Sequence, residues 1–230
     1  MSSRVLGSVA TLALMAMTPS SALWSDPNIL SPNSKAYGKS YGQWSGYWWR
    51  WFMQHPIAGH PSIDDPAFNV TSGQSGQVWF LAGCFGTVTR NVTIPAGKAL
   101  FVGLLNAEFS SNEGFLTEQD QRDEANFFAD HIVVSGMTCS IDGNEVDDIT
   151  KFRCESPQFT FTAPDPWIFT PAAPGPGTFC ADGYFVMLRP LSVGQHVLHY
   201  AGSFHFDIGE IGNPEPLDFG LDMTYHITVQ

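Results

Sequence analysis

"LDMTYHITV", residues 221–229, alternates without a break: Leu221, Met223, Tyr225, Ile227 and Val229 are apolar, while Asp222, Thr224, His226 and Thr228 are polar. A period of two sends successive side chains to opposite faces of a strand, so the segment reads as a strand with one face in a core and one in water. Shorter segments of strand character lie at 78–82, 87–94, 99–105, 139–141, 152–154, 159–163, 184–188 and 196–201. They are rich in β-branched and aromatic residues and are separated by Gly, Pro, Asn and Asp turns. The run 99–105 is apolar on both faces, which predicts a central strand covered on both sides. This succession predicts a mainly β fold: a two-sheet antiparallel sandwich, jelly-roll-like, with an N-terminal Trp-rich helix and one inserted helix.

The first helix is read from "YGQWSGYWWRWFMQHP", residues 41–56, which holds four of the seven tryptophans. Tyr41, Trp44, Trp48, Trp51 with Phe52, and His55 recur three or four apart and form one stripe, which predicts docking on the sandwich; Pro56 ends the pattern. Gln43, Gly46, Tyr47, Arg50 and Gln54 occupy the other side. The second helix is expected over 116–134, with Thr117 as N-cap, Asp120 three residues on, and Ala125, Phe128 and Ile132 turned inward.

At 230 residues, 43% apolar and 14% charged, the chain has ample material for one core and too little charge for disorder. Residues 1–22 read as a secretory signal: Arg4, an apolar run from Val5 to Met17, Pro19, then small residues ending at Ala22. Residues 23–39 form an extended leader, and 40–230 a single domain. Removal of Arg4 takes the formal charge from −12 to −12 − 1 = −13, which argues against nucleic acid and anionic membrane surfaces as partners. A secreted, extracellular location is the expectation.

Four cysteines in an exported chain predict two disulfides. Cys139 and Cys154 flank an Asp142-Gly143 hairpin turn, so a bridge across that hairpin is expected, leaving Cys84 with Cys180. Asn69 and Asn91 head glycosylation sequons. The nucleophile elbow, phosphate loop, dinucleotide fingerprint and HExxH motif are absent, and no Cys/His cluster has metal-ligand spacing; neither cofactor nor metal is expected.

Polar candidates remain. His196, His199 and His205 fall within ten residues, but His196 and His199 differ by three and point to opposite faces of one strand. Glu108 follows the buried run "ALFVGLLNAEF" and ends a central strand, where sandwich clefts open; Asp64 and Asp65 follow the tryptophan helix. His199 or His196 as base, with Glu108 as partner, forms the candidate catalytic set. Trp49 and Tyr47, off the helical stripe, together with Trp167 in the proline-rich loop 165–178 and Trp24, are the candidate ligand-facing rings.

The tryptophan helix, "GQSGQVWFLAG" (73–83), "IPAGKALF" (94–101), "SPQFTF" (156–161), "DGYFVML" (182–188), "PLSVGQHVLHYAG" (190–202) and "MTYHITV" (223–229) together resemble, in order, an uncharacterised group of secreted microbial proteins. That resemblance brings no activity with it, and the position of Gln43 is often acidic in the group. The functional expectation is a secreted sandwich that binds an extracellular carbohydrate or other cell-surface polymer by aromatic stacking. A hydrolase or lyase acting on such a polymer is the alternative, and a structural coat or matrix protein the third class.

Overall fold

The structure, a computed structural model, describes residues 28–169 and 171–230; the expected signal peptide and Trp24 lie outside the described residues. The strands are β1 (Val78–Ala82), β2 (Gly86–Ile94), β3 (Ala99–Ser110), β4 (Thr138–Ile141), β5 (Asn144–Glu145), β6 (Arg153–Glu155), β7 (Phe159–Ala163), β8 (Gly175–Leu188), β9 (Gly194–Phe206) and β10 (Leu217–Val229); the α-helices are α1 (Tyr41–Met53) and α2 (Glu118–Asp130). One sheet runs β1-β3-β8-β6 with β7 also on β8, and the other runs β2-β10-β9-β4-β5. The fold is a mainly β, two-sheet sandwich whose apolar residues, with those of α1, form one continuous core.

In β10 the alternation holds: Met223, Tyr225, Ile227 and Val229 are buried, and His226 is exposed between them. β3 is buried along almost its whole length, as a strand apolar on both faces requires. The expectation of a wholly antiparallel sandwich is corrected, because β1 pairs with β3 and β2 pairs with β10 in parallel. The cause is a chain that changes sheets at each tight turn. Residues 83–85 carry it from β1 to β2 in the other sheet, and 95–98 return it to β3, so two reversals leave β1 and β3 running the same way. A jelly roll is antiparallel throughout, and these two pairings depart from it.

Helix α1 begins where Ser40 closes a capping box with Gln43: the Ser40 hydroxyl accepts from the Gln43 N–H while the Gln43 side chain accepts from the Ser40 N–H. Tyr41 ties its start to the sandwich, its hydroxyl accepting from the Met187 N–H at 2.9 Å and donating to the Leu30 carbonyl at 2.6 Å. The side read as wet is partly buried, because β6 and β7 cover it: a Cβ on Gly46 would meet the Phe159 ring at 2.2 Å, and one on Gly42 the Glu155 carbonyl oxygen at 2.2 Å. Gly42→Ala sets two effects against each other. The helix gains about 1 kcal/mol of propensity, but the clash is with main chain, and overpacking of this kind costs about 1–3 kcal/mol. A net loss of up to about 2 kcal/mol in urea unfolding is expected.

Helix α2 is shorter than the expected 116–134, but it starts from the Thr117 and Asp120 capping box and buries Ala125. No helix among the described residues is long and apolar enough to cross a membrane.

The disulfide expectation is corrected. Cys84, Cys139, Cys154 and Cys180 are thiols. Asp142 and Gly143 do make the hairpin turn, both at positive φ, but the return strand β5 stops at Glu145. The chain then crosses to the other sheet, so Cys139 lies opposite Tyr200 of β9 while Cys154 lies opposite Gly183 of β8. Cys84 sits in the turn after β1, where it accepts from Arg90 at 3.7 Å, and the Cys180 thiol donates to the Glu118 carbonyl at 3.8 Å. Burial pushes the Cys154 thiol up to about 12 and Cys180 to about 11, which leaves both poor nucleophiles.

Candidate functional site: a cavity between the sheets

The two sheets do not close on each other completely. A cavity of about 500 Å³ remains, bounded by β3 on one side and by Phe204 of β9 with Phe219 and Leu221 of β10 on the other. α1 contributes Trp48, Trp49 and Phe52, α2 contributes Phe128, and the proline-rich loop contributes Ile168 and Phe169. The wall is chiefly aromatic and aliphatic. Its polar members include Ser62, Cys84, Asn106, Glu108 and Glu113, and no Lys, Arg or His is among the described residues that line it.

Glu108 belongs to the last turn of pleat in β3, opposite Ala181 of β8. Its side chain is 5% exposed, and its carboxyl oxygens meet no donor of another residue among the described residues, the neighbouring Glu113 carboxyl being the group with which Glu108 can share a proton. An unpaired carboxyl in such surroundings resists ionisation. Burial holds the Glu108 pKa well above the ordinary carboxylate value, and the neighbouring Glu113 pushes it further in the same direction. Glu113 follows the strand in a short 3-10 turn, where its Oε2 accepts from the Ser110 hydroxyl at 2.5 Å. Burial raises the Glu113 pKa too, with the Ser110 hydroxyl partly offsetting it. A second group is orphaned on the same wall: the Trp49 indole N–H, 6% exposed, has no acceptor among the described residues. Its neighbour is satisfied, since the Trp48 indole donates to the Leu81 carbonyl at 2.8 Å.

Of the expected ligand-facing rings, Trp49 is buried rather than exposed, because it turns into the space between the sheets and lines the cavity. Trp167 is 1% exposed, its indole donating to the Ala172 carbonyl at 2.8 Å within the folded loop. Tyr47 is half-buried, with the Arg50 guanidinium 4.7 Å and the Lys39 ammonium 5.1 Å from its ring centre. Asn91 is exposed on the outer face of β2, and Asn69 is exposed with its side chain closing a turn onto Thr71.

The histidines do not join Glu108. His199 points to the outer face of its sheet and pairs with Asp222 at 2.8 Å, His205 pairs with Asp218 at 2.8 Å, and His196 pairs with Asp142 at 2.7 Å at the end of the sheet. Burial pulls the His196 pKa down, but Asp142 and the Ser192 carbonyl outweigh it and leave it raised. Glu108 faces inward from the other sheet, so the set His196, His199 and Glu108 is not assembled. Among the described residues no three His, Cys, Asp or Glu side chains gather to hold a metal.

Sequence reading missed Glu113, Trp49 as a wall of the cavity, and the buried His60. His60 lies beneath α1, its Nε2 3.0 Å from the Phe52 carbonyl, and burial lowers its pKa to about 4. The signal for Trp49 was present: Gly42 and Gly46, four apart on one face, mark a helix approached closely on a second side. No family model matches the chain, and comparison with curated proteins and with solved structures finds no similar one.

Proposed function

We propose that the chain is a binding protein whose ligand is a small, largely apolar molecule held between the two sheets. The observation that carries this reading is Glu108, a buried carboxyl on the wall of an apolar cavity that has the Glu113 carboxyl beside it and no cationic or neutral donor side chain bonded to it among the described residues. Leaving a buried polar group unpaired costs about 1–3 kcal/mol, and a fold that keeps such a group where a leucine would fit is retaining it for something that binds there. A cavity of a few hundred Å³ with apolar walls and few polar groups is also the usual form of a small-molecule site. Export, expected from the leader, would place that ligand outside the cell. Polysaccharide stacking needs exposed ring faces, and Trp49 and Trp167 offer none.

The test uses N-phenyl-1-naphthylamine, a neutral fluorophore that brightens in apolar surroundings. Saturable binding of one molecule per chain is expected, and Leu221→Trp should abolish it. Leu221 is half-buried on the cavity wall, so a larger ring can fill the space without displacing the core. Binding that is absent, or that survives Leu221→Trp in a protein with unchanged circular dichroism, would overturn the proposal.

A further inference from the structure

We infer that the ligand's polar end is a protonated amine, received by Glu108 with Glu113 beside it; this rests on the cavity being a binding site. Four observations converge. The wall carries two carboxyl groups and no cationic side chain among the described residues, so nothing there would neutralise a ligand carboxylate or phosphate. Once ionised, Glu108 presents acceptors alone, two oxygens that no donor of another residue meets among the described residues. A hydroxyl supplies one donor, whereas an ammonium supplies three and a positive charge, which makes the hydrogen bonds to a carboxylate charge-assisted. The rest of the lining combines aliphatic side chains with Trp and Phe rings, and ring faces attract cations once water is excluded. Finally, the chain carries a formal net charge of −12, a field that draws organic cations toward it and anions away.

The Trp49 indole, the other orphan on the wall, is a donor. It calls for an acceptor elsewhere on the same molecule, such as an ether or carbonyl oxygen. Without ligand, burial and Glu113 both favour the protonated form of Glu108. Entry of an ammonium reverses that preference, and the Glu108 proton leaves to solvent. Amine affinity therefore rises with pH until the amine itself loses its charge. Glu113 and the Cys84 thiol are the other titratable groups on the walls; α1, α2, β9 and β10 contribute none.

The test is a matched series, 4-phenylbutylamine, 4-phenylbutanol and 5-phenylpentanoate, titrated calorimetrically into the full chain and into Glu108→Gln. At neutral pH the wild-type protein is expected to favour the amine over the alcohol by about tenfold or more and to refuse the carboxylate. Amine binding should release a proton, read as a dependence of the heat on the buffer's ionisation enthalpy. In Glu108→Gln the amine preference should vanish while alcohol binding persists, which also shows that the variant is folded. If the fluorophore binds but the alcohol or carboxylate matches the amine, or the preference survives in Glu108→Gln, the amine inference falls and the cavity reading stands. If neither the fluorophore nor any of the three binds, both fall.

Discussion

Replacing Trp48 with alanine is expected to destabilise the protein by about 3–5 kcal/mol, the largest loss anticipated for any single side chain of α1. Trp48 is 3% exposed and sits where the helix meets the sheet. Its ring stacks on Phe52 at 5.0 Å and meets Phe185 of β8 edge-on at 5.6 Å. Its indole N–H is also the donor to Leu81 in β1, so truncation both empties a large volume and leaves a buried carbonyl short of a partner. Trp48→Phe separates the two contributions. It keeps most of the packing and loses the hydrogen bond, and about 1–2 kcal/mol is expected. Urea unfolding with an unchanged slope is the appropriate measurement, since a changed slope would mean that the compactness of one state had altered. A loss under 1 kcal/mol for Trp48→Ala would mean that the cavity beside it lets the core collapse into the space.

The second expectation has the opposite sign. Glu108→Leu should stabilise the fold, by about 2–3 kcal/mol near pH 8, since it replaces an unpaired buried carboxyl with an apolar side chain of similar reach in apolar surroundings. The size of the gain depends on pH. The folded-state pKa of Glu108 lies above its ordinary value of 4.5, so between the two the native state binds more protons than the unfolded state. Stability contributed at this position is therefore fully present below about pH 4.5 and declines as pH rises toward the folded pKa, by up to about 1.4 kcal/mol per unit. The leucine variant lacks that decline, so the difference between the two proteins widens with pH. Glu113 has the same sign of dependence, and the variant removes the Glu108 side-chain hydrogen bond that holds its pKa down, so its own share grows rather than shrinks. Unfolding curves from pH 4 to 8 would show it. Equal or lower stability of Glu108→Leu across that range would mean that the carboxyl is already satisfied, and the functional reading would lose its support.

Much of the architecture was legible because it follows from local periodicity. The strict alternation at 221–229 located a strand with one wet face, the double-sided apolar run located β3, the three-to-four spacing over 41–55 located the first helix, and Thr117 with Asp120 located the start of the second. What was not legible depends on which elements meet. A single stripe on α1 implied one docking surface, whereas β6 and β7, in the same sheet as β3 and β8, also close on the helix at Gly42 and Gly46, and Trp49 is buried on the cavity wall. The cysteine pairing failed on a sheet crossing between Glu145 and Arg153 that no residue in the segment announces. Glu108 could be singled out by its position after an apolar run. Glu113 could not, because its approach depends on a 3-10 turn folding back after the strand, and empty space has no residue to mark it.

The parallel pairing of β2 with β10 bears on how the molecule is made. Leu221 lies beside Gly86, a separation of 221 − 86 = 135 residues, and β10 stands in the middle of its sheet with β9 on its other side. Until that strand has been synthesised, β2 has no neighbour to pair with and the inner faces of β2 and β9 have no continuous sheet to belong to. Contacts of such long range demand loop closure before they give anything back, which slows assembly and prolongs the time that strand edges stand open. The nascent chain is thus a poor candidate for folding as it emerges. The sheet that holds β2 cannot close until β10, almost the last segment of the chain to be made, is available.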